Sequence, residues 1–88
     1  MEFIQVANGD VSLNVAVKGR GPVILCVHGW PELWYSWRHQ IDYFAARGFQ
    51  VAAMDVRGYG GSTKPVPITD YSMRKICSDV ASVAKALS

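Results

Sequence analysis

The run Pro22-Val23-Ile24-Leu25-Cys26-Val27-His28-Gly29-Trp30-Pro31 decides how the rest of this chain is read. Five successive apolar residues between a Gly-Pro entry and a Gly-containing exit predict a short strand buried on both faces, the kind found inside parallel sheets. In open α/β sheets the binding crevice lies just past the carboxyl ends of the strands, which places residues 28–31 where chemistry is expected. Gly29 opens backbone conformations closed to other residues, and Pro31 fixes its own φ while donating no N–H. The expected result is a rigid corner on which Trp30 keeps a free backbone N–H.

Upstream, residues 2–7 and 10–18 flank Asn8-Gly9, which predicts a hairpin with these two residues at the centre of a type I′ turn. Val11, Leu13, Val15 and Val17 alternate with Ser12, Asn14, Ala16 and Lys18, as in an antiparallel pair with one face buried. Downstream, Trp34, Trp37, Ile41, Phe44 and Ala45 recur at helical spacing and predict an amphipathic helix from Glu32 to Arg47, stopped by Gly48. Residues 49–54 read as the next strand, so the order strand, helix, strand is a βαβ unit with parallel strands.

A Gly- and Pro-rich loop over residues 55–70 follows at the carboxyl end of that strand. Ser72 is then placed to cap a last helix whose apolar stripe is Met73, Ile76, Cys77, Val80, Ala84 and Leu87. The stripe reaches Ser88 without a Gly, Asn or Pro stop, so the chain is expected to be the N-terminal piece of something longer.

Eighty-eight residues allow one small domain, half of them hydrophobic, with a net charge of +2. Such a balance fits a globular chain and argues against a nucleic-acid arm or a polybasic membrane patch, since the nine Lys and Arg are scattered. No apolar run approaches the ~18 residues that cross a bilayer, and Met1-Glu2-Phe3-Ile4-Gln5 lacks the layout of a signal peptide, so a cytoplasmic protein is expected. Cys26 and Cys77 form neither a CxxC nor a metal-type pair and read as reduced, buried small hydrophobes.

Individually, the polar residues have plain structural readings. His28 and His39 are expected as hydrogen-bonded structural histidines, and Asp55 with Arg57 as a loop-bracing ion pair. Gly58, Gly60 and Gly61 form neither a GxGxxG nor a Walker A motif, which argues against nucleotide binding; no cofactor and no metal are called for.

Together they are more specific. His28-Gly29-Trp30-Pro31 after one strand, followed at the next strand end by Asp55-x-Arg57-Gly58-x-Gly60-x-Ser62, resembles the α/β-hydrolase family. Within it, Trp30-Pro31-Glu32-Leu33-Trp34-Tyr35-Ser36-Trp37-Arg38-His39-Gln40 looks like the epoxide hydrolase branch. The resemblance implies an α/β fold, here the first part of a single hydrolase domain (residues 1–88): the hairpin as the first two strands, residues 23–28 as the third, 49–54 as the fourth, and helices on both faces.

The resemblance also implies a mechanism. An Asp on a strand-to-helix elbow attacks an epoxide carbon, two lid tyrosines protonate the leaving oxygen, and a His paired with an acid activates water to hydrolyse the ester. Two backbone N–H groups hold the oxyanion of that second step, and the one from the His-Gly-x-Pro corner is carried here by Trp30, whose side chain would line the substrate pocket. His28, Gly29, Pro31, Asp55, Arg57, Gly58, Gly60 and Ser62 are then motif residues with structural roles. No Gly-x-Ser-x-Gly or His-Asp-Trp-Gly elbow occurs, and neither His stands where a triad His would. The nucleophile, acid, base and lid tyrosines are expected past Ser88, so the 88 residues alone should be inactive and should need the rest of the domain to cover the edge of strand 23–28. Two alternatives remain, a haloalkane or haloacid dehalogenase of the same fold and a non-catalytic interaction domain.

Overall fold

A computed structural model describes residues 1–28, 33–65 and 71–87 of the chain. Its strands are β1 (Glu2–Asn8), β2 (Val11–Lys18), β3 (Val23–Val27) and β4 (Gln50–Met54); its α-helices are α1 (Arg38–Ala45) and α2 (Met73–Leu87). They form one sheet in the order β1-β2-β4-β3, antiparallel except for the β3·β4 pair, which is parallel. The expected hairpin and βαβ unit are both present, joined through the β2·β4 pair.

Burial along β4 explains the two layers. Ala52 and Met54 point to one face, where Val6, Leu13, Val15 and Val17 meet Val80, Val83 and Leu87 of α2. Val51 and Ala53 point to the other, where Cys26 meets Trp34, Trp37, Ile41, Phe44 and Ala45. Helices therefore cover both faces, and the stripe expected for the first helix is the one that packs. Each fully buried Leu, Ile, Val or Met side chain contributes about 1.5–3 kcal/mol relative to exposure.

Several expectations are corrected. The strand enclosed on both faces is β4, all of whose residues from Val51 to Met54 are inaccessible. β3 is the outer strand and pairs with β4 alone among the described strands, in keeping with the open edge expected for strand 23–28, but its faces are not both enclosed, since Val23 and Val27 are 39% and 37% exposed. In β2 both faces are buried: Asn14 and Ala16, expected on the solvent side, lie under the loop after β4 and under α1. The hairpin turn is shifted by one residue. Asn8 pairs with Val11, leaving Gly9-Asp10 as the loop, and only Gly9 takes a positive φ (59°), the pattern of a type II′ turn. Asn8 stays a strand residue because its amide donates to Ser78 Oγ and Asp79 Oδ1 on α2.

The first helix does not run continuously from residue 32. Leu33 is extended (φ −138°, ψ 178°), a 3₁₀ turn covers Trp34–Trp37, and α1 follows. Gly48 ends it as expected, with Phe49 N–H returning to Phe44 O. Ser72 caps α2, its Oγ accepting Lys75 N–H at 3.3 Å. The packed face of α2 is not the expected one, because Met73, Cys77 and Ala84 are exposed. Asp79 is drawn fully inside, and Cys77, two residues back and roughly 160° around the helix, must then face out. Both cysteines are free thiols; Cys26 is buried as expected, and that burial pushes its thiol pKa up.

Candidate functional site

The loop after β4 is shaped by what its backbone must satisfy. Gly58 N–H donates to Thr63 O, Tyr59 N–H to Val56 O, Ser62 N–H to Tyr59 O and Thr63 N–H to Ser12 O. Gly61 N–H donates to the Asp55 carboxylate. The N–H groups that a phosphate loop would offer to a ligand are thus spent within the protein.

Ser62, 3% exposed, replaces a missing rung between β2 and β4: its Oγ donates to Asp55 O at 2.5 Å and accepts Asn14 N–H at 2.8 Å. Asp55 is inaccessible to solvent. Its Oδ2 accepts from Asn14 Nδ2 (3.0 Å) and Gly61 N–H (3.1 Å), and its Oδ1 from Trp34 N–H (2.8 Å). Hydrogen bonds to a charged group are worth about 1.5–3 kcal/mol each, which offsets the cost of burying the carboxylate. Gly60 (φ +50°) makes this possible, because a Cβ there would stand 2.4 Å from Asp55 Oδ2.

His28 directly follows β3 at 7% exposure, and its Nε2 accepts Val56 N–H at 3.0 Å. A backbone N–H can only donate, so Nε2 is the acceptor in this contact. Its ring also packs edge-on against Tyr59, with centroids 5.0 Å apart. This hydrogen bond joins two strand ends 28 residues apart in sequence.

The ion pair expected between Asp55 and Arg57 is not formed. Arg57 reaches Asp79 of α2 instead, Nε to Oδ2 at 2.6 Å and Nη2 to Oδ1 at 2.7 Å, with Asn8 Nδ2 on Oδ1 at 2.8 Å. Both residues lie past the end of β4, where the chain leaves strand geometry for the loop, and Asp55 and Arg57 face different partners. Gly29, Trp30, Pro31 and Glu32 lie outside the described residues. What the structure brings together is everything around them: His28 before, Leu33 and Trp34 after, and Asp55-Val56 against both.

Residues 22–88, which carry the parallel βαβ unit, the loop after β4 and α2, match the family model of the alpha/beta hydrolase fold. The chain belongs to the α/β-hydrolase fold family. Among curated relatives, epoxide hydrolase 3 of Siraitia grosvenorii is 41% identical over 80 residues, 91% of this chain and 25% of the relative. Bifunctional epoxide hydrolase 2 of Sus scrofa is 42% identical over 77 residues, 88% of this chain and 14% of the relative. Among solved structures, an epoxide hydrolase from Vigna radiata superposes with a TM-score of 0.94 at 42% identity, covering 98% of this chain and 28% of that one. One from an endophytic Streptomyces gives 0.93 at 43%, covering 98% and 26%. This α/β-hydrolase chain therefore spans about a quarter or less of the length of the relatives it matches.

Sequence reasoning missed Asn14, Asp79 and Trp34 N–H as parts of the hydrolase loop system. For Asp79 a signal existed: it falls between Ile76 and Val83 on a stripe that is otherwise apolar, where a lone carboxylate implies a buried cation partner. For Asn14 there was only its place on the polar side of β2, and nothing local marks a backbone N–H such as that of Trp34. Among the described residues no group of His, Cys, Asp and Glu is arranged to hold a metal ion, and no helix is long and apolar enough to cross a membrane.

Proposed function

We propose that residues 1–88 form the first part of a single α/β-hydrolase domain that opens epoxides to vicinal diols through an Asp-ester intermediate. The observation that carries this reading is an identity above 40%, over most of the chain, to proteins that are themselves epoxide hydrolases, with the run from Trp30 to Gln40 resembling that branch. In the first step an Asp carboxylate from the rest of the domain bonds to an epoxide carbon, the C–O bond of the ring breaks, and lid tyrosines give that oxygen a proton. In the second, water deprotonated by a His adds to the ester carbonyl, and the diol oxygen leaves from the resulting tetrahedral oxyanion.

The contribution of this chain is to that second step. Trp30 would donate its backbone N–H to the oxyanion, and its indole would line the pocket; Gly29 and Pro31 would keep the donor from relaxing as negative charge develops. His28, Asp55, Arg57, Gly58, Gly60 and Ser62 act through the backbone they hold. Substrate and water are the only small-molecule partners in this reading, with no cofactor, nucleic acid or membrane. The two free thiols support a cytoplasmic setting.

The test is a graft of residues 1–88 onto the remaining three quarters of the Vigna radiata enzyme. The graft should be a folded monomer that turns over a styrene oxide-type epoxide with a transient ester, whereas the 88 residues alone should show no turnover above buffer. A folded graft that releases halide from a haloalkane and leaves epoxides intact would move the reading to a dehalogenase.

A further inference from the structure

We infer that Asp55 is a positioning residue for the hydrolytic half of the reaction, fixing from one side the chain segment whose other side is fixed at His28. The inference rests on the oxyanion role proposed for that segment. Two consecutive residues at the end of β4 hold both described ends of it: Val56 N–H is bonded to His28 Nε2 at 3.0 Å, and Trp34 N–H to Asp55 Oδ1 at 2.8 Å. Moving either anchor moves an end of the segment that would carry the donor, and misplacement of a reacting group by about 1 Å costs on the order of 10²-fold in rate.

The Asp55 anchor is itself immobilised. Its second oxygen is taken by Asn14 Nδ2 and Gly61 N–H, Asn14 Oδ1 is held by Gln5 Nε2, and its main-chain carbonyl is held by Ser62 Oγ. The carboxylate thus transmits the position of β2, an inner strand of the sheet, to the first residue of the 3₁₀ turn. Its charge matters because it accepts on both oxygens at once. An amide in its place has one acceptor. Turned towards Asn14 and Gly61 it satisfies two donors and opposes one, and turned the other way it satisfies one and opposes two. Asp55→Asn should therefore keep the loop and release Trp34 N–H.

The experiment uses the epoxide hydrolase graft and single-turnover kinetics that separate ester formation from ester hydrolysis. Asp55→Asn should slow hydrolysis by about 10–100-fold, short of or equal to the loss of a whole oxyanion donor, and change ester formation by less than about threefold. Exchanging the pair, Asn14→Asp with Asp55→Asn, turns the amide nitrogen of residue 55 towards a carboxylate and its oxygen back to Trp34, and should recover at least half of the logarithmic loss in hydrolysis rate. If Asp55→Asn does not fold, Trp34→Pro and Trp34→Ala replace it. Both remove the ring and only Pro removes the N–H; Leu33, already extended, accepts a following proline. Hydrolysis should then be slower in the Pro variant than in the Ala variant. Equal slowing of both steps, a fall in melting temperature with unchanged hydrolysis, or no difference between the Pro and Ala variants would overturn the role of Asp55. Absence of any ester in the unsubstituted graft would instead overturn the epoxide hydrolase reading.

Discussion

Removing the carboxylate of Asp79 should destabilise the fold more than any exposed substitution. Its side chain has no accessible surface and that of Arg57 has 7%, and the two form a bidentate pair with Asn8 as a third contact. Breaking a buried pair by deleting one partner costs about 3–5 kcal/mol, because the remaining charge keeps its desolvation cost without its counter-charge. That is roughly two to nearly four orders of magnitude in the unfolding constant. Asp79→Leu and Arg57→Met should each fall in this range. The double variant should cost far less than their sum, since it leaves no buried charge, and should lie near the milder single. The assay is equilibrium urea unfolding of the graft followed by tryptophan fluorescence, read as a double-mutant cycle. Additive losses, or a loss below about 1 kcal/mol for Asp79→Leu, would show that the pair behaves like a solvent-screened surface bridge and does not hold α2 to the loop.

Gly60→Ala should cost more than Gly9→Ala although both have positive φ. At Gly9 nothing lies within 4 Å of the added Cβ, so only backbone strain of about 1–2 kcal/mol applies, while at Gly60 the Cβ meets a carboxylate locked by three hydrogen bonds; equal melting temperatures would refute this. In the graft, Trp30→Phe should lower substrate binding only slightly, whereas Pro31→Gly should slow ester hydrolysis by up to about 10²–10³-fold by freeing the corner. The opposite order in single-turnover kinetics would place the role of residue 30 in its indole. A thiol reagent should label Cys77 at once and Cys26 only on unfolding, because Cys26 is buried with its pKa raised; mass spectrometry of partly labelled protein decides it. Lys18 beside Asp42 holds that carboxyl below its ordinary 3.8 by hydrogen bonding and charge. A lowered pKa adds stability that is present above the ordinary value and is lost as pH falls through the lowered one. The small stability difference between the parent chain and Lys18→Met should therefore vanish in acid, as followed by urea unfolding at pH 6 and pH 2.

Periodicity and turn chemistry were enough for the elements themselves. Alternation in β2, the stripe from Trp34 to Ala45, the cap at Ser72 and the apolar runs of β3 and β4 are local patterns, each set by which side chains one element can bury. The motif spacing from His28 to Ser62 also marked the family. Tertiary structure decided the rest because it depends on partners distant in the chain. Asn8 is 71 residues from Asp79 and Arg57 is 22, yet together they pull Asp79 inside and rotate α2 away from its own most apolar face. Asp55 took Trp34 N–H, Asn14 Nδ2 and Gly61 N–H while Arg57 took Asp79, and apart from Gly61 these partners are brought in from distant parts of the chain. Which strand is enclosed was settled in the same way: β3 is the more apolar, but β4 lies between β2 and β3, and position in the sheet, not hydrophobicity, removes both edges from water.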